Sequence, residues 1–201
     1  MLRYRLFIFT VANHGLLDVA LDSVKSIWPH TTVINNTGGP LALPVPTINP
    51  PVPLTYAQSF NYARRLAIED GCEWLVTMHD DAYLLHDEMG GFVSRLASTP
   101  PRLGWVGTLY DCLAAWKVSM LKDVGELDRF LPYYGCDVDF FLRMESAGWE
   151  KTDDPIRKLI VHNESTTIKT LPEFKRAIEL MQPYVLAYLK AKWGKRLPSG
   201  L

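Results

Sequence analysis

The residues best suited to chemistry follow an apolar run that ends abruptly in polar side chains. The run from Glu73 to Met78 is predicted to be a strand, and His79, Asp80 and Asp81 come directly after it. Adjacent aspartates at a strand end are a concentrated set of hard oxygen ligands, which suit Mg²⁺ or Mn²⁺ holding a diphosphate. Such residues also form turns and helix caps, so the spacing alone leaves both interpretations open.

Two other positions could contribute to the same chemistry. His162 ends a further apolar strand, Leu159–Val161, and could be a metal ligand or an ordinary hydrogen-bonded histidine. Asp137 and Asp139 lie near the start of a predicted helix, where capping accounts for at least one of them. A carboxylate near a metal could instead accept the proton of an attacking hydroxyl, which is the work of a general base.

The elements of the first half predict where these side chains meet. Buried strands are predicted at Tyr4–Val11 and Thr31–Asn35, with a helical pattern between them from Leu16 to Trp28. A capping box at Thr55–Gln58 predicts the next helix, which should end near Gly71. Alternating strands and helices favour a parallel α/β sheet, in which ligands bind beyond the carboxyl ends of the strands. The polar residues Asn13, Asn35 and His79–Asp81 fall at those ends.

The later elements are predicted from the same kinds of pattern. Helices are expected at Asp87–Ala97 and Asp137–Ala147, and strands at Leu103–Thr108 and Leu113–Val118. The six prolines from Pro40 to Pro53 predict a surface loop. A second capping box, Thr170–Glu173, predicts a last helix that runs to about Lys192 and packs an apolar stripe on the catalytic domain or on a second subunit. The stripe comprises Phe174, Ile178, Met181, Val185, Tyr188 and Leu189.

Composition limits the classes of protein that the chain can be. Its 201 residues, 48% of them hydrophobic, suffice for one well-packed domain. The net charge of −1 and the even spread of basic residues argue against a nucleic-acid partner. No apolar run approaches the roughly 18 to 20 residues of a membrane span. The three cysteines, Cys72, Cys112 and Cys136, have no metal-ligand spacing and fit a reduced, cytoplasmic setting.

Five segments occur in order between residue 4 and about residue 165. They are Arg5–Asn13, Val33–Asn36, His79–Asp81, Leu121–Asp128 and Tyr133–Arg143, the last followed by Gly148-Trp149. Together they resemble family 2 glycosyltransferases. The last segment looks like that family's acceptor-side motif, a Glu-Asp-x-Asp core followed by an arginine and then Gly-Trp.

The resemblance implies a GT-A fold, a Rossmann-like α/β architecture with a mixed, mostly parallel sheet flanked by helices. Residues 1–169 would form the catalytic domain, and 170–201 a C-terminal helical extension packed on it. The implied reaction is inverting transfer from a nucleotide-diphosphate sugar, with a UDP-sugar favoured over GDP- or dTDP-sugars and with Mn²⁺ or Mg²⁺ as the metal. The acceptor, whether a glycan, a lipid-linked molecule or a protein, is left open, as is a homodimer.

The resemblance also implies roles for individual residues. These are Asp137 as the general base, Asp81 and His162 as metal ligands, Asp80 facing the nucleotide, and Thr10, Ala12 and Asn35 lining the nucleoside pocket. The sequence departs from the family pattern at His79 and Asn35, where the family has aspartates, and at Cys136, where it has a glutamate. Two alternatives therefore stay open: a catalytically degenerate module that binds nucleotide or glycan, and a nucleotidyltransferase, although no Gly-rich phosphate loop is present.

Overall fold

A seven-stranded sheet forms the centre of the molecule, flanked by helices on both faces. The computed structural model describes residues 2–11, 15–108, 110–163, 166 and 171–198. The strands are β1 (Tyr4–Thr10), β2 (Thr31–Asn35), β3 (Thr47–Ile48), β4 (Trp74–His79), β5 (Ala82–Leu84), β6 (Leu103–Thr108), β7 (Tyr110–Lys117), β8 (Glu150–Asp153) and β9 (Ile160–His162). The large sheet has the order β3-β2-β1-β4-β7-β6-β8, and β5 pairs with β9 in a separate two-stranded ribbon.

The helices cover the sheet. They are α1 (Leu16–Asp22), α2 (Tyr56–Glu69), α3 (Met89–Leu96), α4 (Val118–Val124), α5 (Cys136–Ser146) and α6 (Pro172–Trp193), with short 3₁₀ segments at Lys25–His30, Pro155–Lys158 and Gly194–Arg196. Successive residues of β1 show why both faces need covering. Leu6 and Ile8 belong to one hydrophobic cluster, whereas Phe7 and Phe9 belong to the other. A strand that is apolar on both faces must be buried between two layers.

The direction of β7 decides which residues meet at the functional edge, the edge of the sheet at which β1, β2 and β4 end. β1, β2, β3 and β4 run parallel to one another, whereas β7 is antiparallel to both of its neighbours, β4 and β6. Met78 in β4 pairs with Leu113 in β7. The first residues of β7 therefore lie beside the last residue of β4, at the edge where the parallel strands end.

The two-stranded ribbon brings the end of the chain's last strand to the same edge. Ala82 in β5 pairs with His162 in β9, and the backbone N–H of Asn163 donates to the carbonyl oxygen of Asp81 at 2.9 Å. A pairing over about 80 residues of sequence thus places His162 next to the aspartates that follow β4.

Most predicted elements are confirmed, with differences that have local causes. The capping box of α2 is present, since Thr55 accepts from the backbone of Gln58 and the Gln58 side chain accepts from the backbone of Thr55. The first helix is shorter than predicted. It ends at Asp22, where the Ser23 hydroxyl donates to the carbonyl of Ala20 at 2.8 Å, and a 3₁₀ segment containing Pro29 follows. Four of the described strands and helices were not predicted. β8 is an exposed, wholly polar edge strand, and α4 is only two turns long. β3, a two-residue strand inside the predicted Pro40–Pro53 loop, and β5, with three residues, are too short to show a pattern.

The C-terminal helix packs on α5 and on the segment before it. α6 begins at Pro172, and Thr170, its predicted cap, lies outside the described residues. Val185 and Leu189 are buried, and Phe174 contacts the ring of Tyr133 at a centroid distance of 4.6 Å. Part of the predicted apolar stripe therefore packs within this chain. Among the described residues, no helix combines the length and the apolar character that crossing a membrane requires.

Candidate active site

The predicted metal ligands come together at the carboxyl end of β4. His79 is the last residue of that strand, and Asp80 and Asp81, which follow it, are 4% and 5% exposed. The Oδ1 atom of Asp81 lies 3.2 Å from Nε2 of His162 and 4.0 Å from Nδ1 of His79. One carboxylate and two imidazoles therefore converge in a nearly buried place. Asp81 and His162 are the two ligands that the family resemblance implied, whereas His79 was not expected among them.

The electrostatics of Asp81 favour its ionised form. Burial alone would raise the pKa of Asp81, but the hydrogen bond from His162 and the charges of His79 and His162 outweigh it and lower the pKa. An ionised carboxylate is the state that binds a cation, so Asp81 is prepared for that role before any ion arrives.

Asp111 and Cys112, at the start of β7, join this group, although no sequence pattern predicted it. The hydroxyl of Tyr56 donates to Oδ2 of Asp111 at 2.5 Å, while Oδ1 of Asp111 lies 3.6 Å from Nε2 of His79. That nitrogen of His79 is buried and has no hydrogen-bond partner among the residues that the structure describes. Cys112 is fully buried next to it.

Asp137 lies in the first turn of α5. The residue before the helix, Gly135, is in the left-handed conformation with φ of 77°, which turns the chain into α5. Burial raises the pKa of the Asp137 carboxyl, and the charge of Asp111 raises it further, against the hydrogen bonds from nearby backbone N–H groups. A carboxylate with a raised pKa is a stronger base, which suits proton abstraction from a hydroxyl.

A cleft opens beside Asp137, between α5 and α6. Its volume is about 250 Å³. Its lining is mostly apolar and comprises Tyr133, Tyr134, Gly135, Asp137, Val138, Ile178, Met181, Gln182, Val185, Leu186 and Leu189. Ile178 and Met181, which were predicted as packing residues, thus line a cavity instead of filling it. A molecule bound in this cleft would contact Asp137.

Asp139 has a different environment from Asp137, although it lies only two residues away. Its carboxylate is fully buried and accepts hydrogen bonds from Arg143 Nε at 2.9 Å and from Trp193 Nε1 at 2.8 Å. Lys192 Nζ lies 2.8 Å from the same group. Asp139 therefore ties α5 to the end of α6 and is saturated by protein partners.

Two of the residues predicted to line a nucleoside pocket, Thr10 and Asn35, are the last residues of β1 and β2. Thr10 is fully buried, and Ala12 lies outside the described residues. The Asn35 amide nitrogen donates to Gly39 O and Asn49 Oδ1, while its oxygen accepts from the backbone and hydroxyl of Thr37. Asn35 thus holds the loop after β2, and contact with a nucleobase would have to replace some of these bonds.

Solved structures share this architecture. This chain is similar to glucosyl-3-phosphoglycerate synthase from Mycobacterium tuberculosis, whose structure contains Mn²⁺, UDP and phosphoglyceric acid. The similarity covers 98% of this chain and 80% of the other, with a TM-score of 0.66 and 11% identity. The chain has the GT-A fold. No protein-family model matches the sequence, and no curated protein matches it either.

Two further structures mark the range of enzymes built on this architecture. The mannosyltransferase PcManGT from Pyrobaculum calidifontis, in complex with GDP-Man and Mn²⁺, has a TM-score of 0.62 and 14% identity over 77% of this chain. The chain spans only about half (55%) of that protein's length. A cytidylyltransferase from Leptospira borgpetersenii has a TM-score of 0.54 and 10% identity, with 77% of this chain and 76% of the other covered. At these identities the likeness concerns the fold.

Proposed function

We propose that this chain is a metal-dependent glycosyltransferase that moves a sugar from a nucleotide-diphosphate sugar to an acceptor hydroxyl. One observation carries the proposal: two carboxylates with different properties lie at the functional edge of a GT-A sheet. Asp81 is suited to bind a cation, and Asp137 is suited to accept a proton. The acidic Asp111 lies 3.6 Å from His79 and close enough to Asp137 to raise the pKa of that carboxyl. The three solved structures described above belong to enzymes that act on nucleotides or nucleotide sugars, which supports a nucleotide donor.

The residues around Asp81 fit a divalent cation. The ionised carboxylate and the His162 imidazole, 3.2 Å apart, offer oxygen and nitrogen ligands from two segments that the β5–β9 ribbon fixes in place. A bound cation would neutralise the negative charge that develops on the diphosphate leaving group. The Mn²⁺ or Mg²⁺ in several of the neighbouring structures favours these ions as the first to test.

Asp137 would act on the acceptor. Its carboxylate lines the cleft between α5 and α6, where an acceptor hydroxyl could reach it. It would take the proton of that hydroxyl as the oxygen attacks the anomeric carbon from the side opposite the leaving group, so the sugar would be transferred in one displacement with inversion. The apolar walls of the cleft favour an acceptor with an apolar face or tail next to the reacting hydroxyl.

The donor would occupy the edge of β1, β2 and β4. Asp80 is nearly buried beside Asp81 and would face the nucleotide, and Thr10 lies at the end of β1. A UDP-sugar is the donor to test first, with GDP- and dTDP-sugars as competitors.

A ligand screen tests the donor and metal parts together. A nucleoside diphosphate that binds only the native state raises the melting temperature, so UDP, GDP and dTDP are compared with and without Mn²⁺. We expect one diphosphate to stabilise the wild type only when Mn²⁺ is present. Asp81→Ala and His162→Ala should lose this metal-dependent shift. Wild-type manganese affinity in both variants would refute the assigned ligands.

A nucleotidyltransferase is the second candidate, favoured by the structural likeness to the cytidylyltransferase. The products separate the two reactions. A glycosyltransferase releases a nucleoside diphosphate from a nucleotide sugar, whereas a cytidylyltransferase releases pyrophosphate from CTP. A chain that binds nucleotide but forms neither product would be a non-catalytic binding module.

A further inference from the structure

A cysteine belongs to the cluster at the end of β4. One ligand atom from each of His79, Cys112 and His162 lies within 4.8 Å of the other two. Cys112 is fully buried, and the two imidazole rings have centroids 5.6 Å apart. Two imidazoles and a thiol from three separate strands therefore face one point.

The fold explains why these three side chains converge. β7 runs antiparallel to β4, and Leu113 pairs with Met78, so Cys112 is adjacent to His79 in the sheet. The ribbon of β5 and β9 then places His162 over the same edge. Strand pairing positions each of the three side chains, so the cluster forms with the fold itself and does not depend on the movement of a loop.

The chemistry of this donor set differs from that of a carboxylate pair. Mg²⁺ prefers oxygen ligands, and carboxylate, carbonyl and water ligands likewise suit Mn²⁺. Thiolate and imidazole together suit borderline-soft ions such as Zn²⁺ and Co²⁺, and zinc sites are commonly built from mixed cysteine and histidine ligands. A metal-bound thiol loses its proton to solvent, so binding would release one proton from Cys112.

We propose that Cys112 is a metal ligand and that, with His79 and His162, it makes this centre select Zn²⁺ or Co²⁺ over Mn²⁺ and Mg²⁺. Asp81, within 4.0 Å of His79 and 3.2 Å of His162, supplies the oxygen ligand. The inference rests on the metal centre of the proposed function, but it does not depend on sugar transfer. It also gives a role to His79, which stands where the resembled family has an aspartate.

Cobalt spectroscopy tests this ligand directly. Co²⁺ bound by a thiolate shows an intense ligand-to-metal charge-transfer band in the near ultraviolet, which nitrogen and oxygen ligands do not give. The full chain is titrated with CoCl₂ under reducing conditions, with and without UDP. We expect this band in the wild type and its loss in Cys112→Ser, which should still bind Co²⁺ through the remaining ligands. Cys72→Ser is the matched control, because Cys72 is also buried but precedes β4 at the opposite edge of the sheet.

A second variant keeps the test decisive if Cys112→Ser does not fold. The double variant Cys72→Ser, Cys136→Ser leaves Cys112 as the single thiol, and it should keep the charge-transfer band. In competition titrations, Zn²⁺ should displace Mn²⁺ from the wild type. Removal of the Cys112 thiol should weaken Zn²⁺ binding more than Mn²⁺ binding.

The outcomes separate this inference from the proposed function. Cobalt binding without a thiolate band would overturn the role of Cys112 and leave the Asp81–His162 centre standing. Preference for Mn²⁺ over Zn²⁺ in the wild type would overturn the proposed selectivity. If Co²⁺, Zn²⁺ and Mn²⁺ all fail to bind with or without UDP, the metal centre of the proposed function fails as well.

Discussion

Two aspartates in the first turn of α5 should respond in opposite ways to the same substitution. Asp137 is only partly enclosed, and burial and then Asp111 raise the pKa of its carboxyl. A raised pKa means that the folded state binds the proton more tightly than the unfolded state does. Above the folded-state pKa, the ionised group therefore lowers the free energy of unfolding, and this effect vanishes below the unfolded-state pKa. At neutral pH, Asp137→Asn should thus leave stability unchanged or raise it. As the proposed general base, it should lower transfer by ~10²-fold or more.

Asp139→Asn should instead destabilise the fold. The carboxylate is 0% exposed and has three protein partners, Arg143, Trp193 and Lys192, at 2.8 to 2.9 Å. Removing one member of a buried ion pair costs about 3–5 kcal/mol. We take about 3 kcal/mol, the lower end, because the side chains of Arg143 and Lys192 are 23% and 32% exposed and Lys192 keeps its ion pair with Asp128. For a chain of this size, that loss lowers the melting temperature by about 6–12 °C.

The assay combines thermal unfolding at neutral pH with steady-state transfer, both measured on the two variants and the wild type. Donor binding is measured as the rise in melting temperature that UDP and the metal cause together, and this rise should be retained in Asp137→Asn. The reasoning is refuted if Asp137→Asn transfers sugar at the wild-type rate. It is also refuted if Asp137→Asn unfolds as readily as Asp139→Asn, since both aspartates would then be structural.

Three further outcomes follow from the same geometry. The transfer rate should fall with decreasing pH, at a pH above the ordinary aspartate pKa, because Asp137 must be ionised to act as a base. Asp111→Asn should move this acidic fall of the pH–rate profile to lower pH. An unchanged profile would contradict the effect of Asp111 on the pKa of Asp137. Ile178→Trp should fill the cleft and raise the acceptor KM about tenfold or more without changing donor affinity, whereas Leu180→Trp, at a position 64% exposed on α6, should change neither. Gly135→Ala should destabilise the fold by about 2 kcal/mol or more in chemical denaturation. The reason is that φ of Gly135 is 77° and that the added Cβ would lie 2.9 Å from a side chain of α6. A variant as stable as the wild type would contradict this packing.

Local sequence patterns were sufficient to predict the elements that depend only on residues close together in the chain. The apolar run before His79 predicted β4, and the Thr55–Gln58 capping box predicted the start of α2. These two inferences used only the chain direction and the side-chain period of a strand or helix. That Asp81 and His162 lie together was implied by the family resemblance and by their places at two strand ends, but the structure brings them together through the β5–β9 ribbon, which is separate from the parallel strands.

The missing members of the site depend on a property that no local pattern encodes. β7 was expected from about Leu113 onward, but its direction in the sheet was not predicted. An antiparallel strand presents its first residues, not its last, at the functional edge, so Asp111 and Cys112 enter the site from the amino end of β7. Their spacing from His79 and His162 resembles no metal motif, because pairing between distant segments, and not sequence proximity, brings them together.

The position of Asp111 suggests how one edge of the sheet can support two different carboxylate chemistries. Near the imidazoles of His79 and His162, the pKa of Asp81 is lowered, although burial opposes this, and the group stays ionised for a cation. Burial raises the pKa of Asp137, and the charge of Asp111 adds to it, so this group is prepared to take a proton. Asp111 is fixed by the Tyr56 hydroxyl and lies 3.6 Å from His79, so it is oriented at the junction of the two environments. Pairs of titratable groups whose surroundings push their pKa values apart are the usual basis for dividing binding and acid–base roles. The antiparallel direction of β7 places Asp111 at this edge, because a parallel strand in its place would put its last residues there, and Asp111 then adds to the effect of burial on the pKa of Asp137.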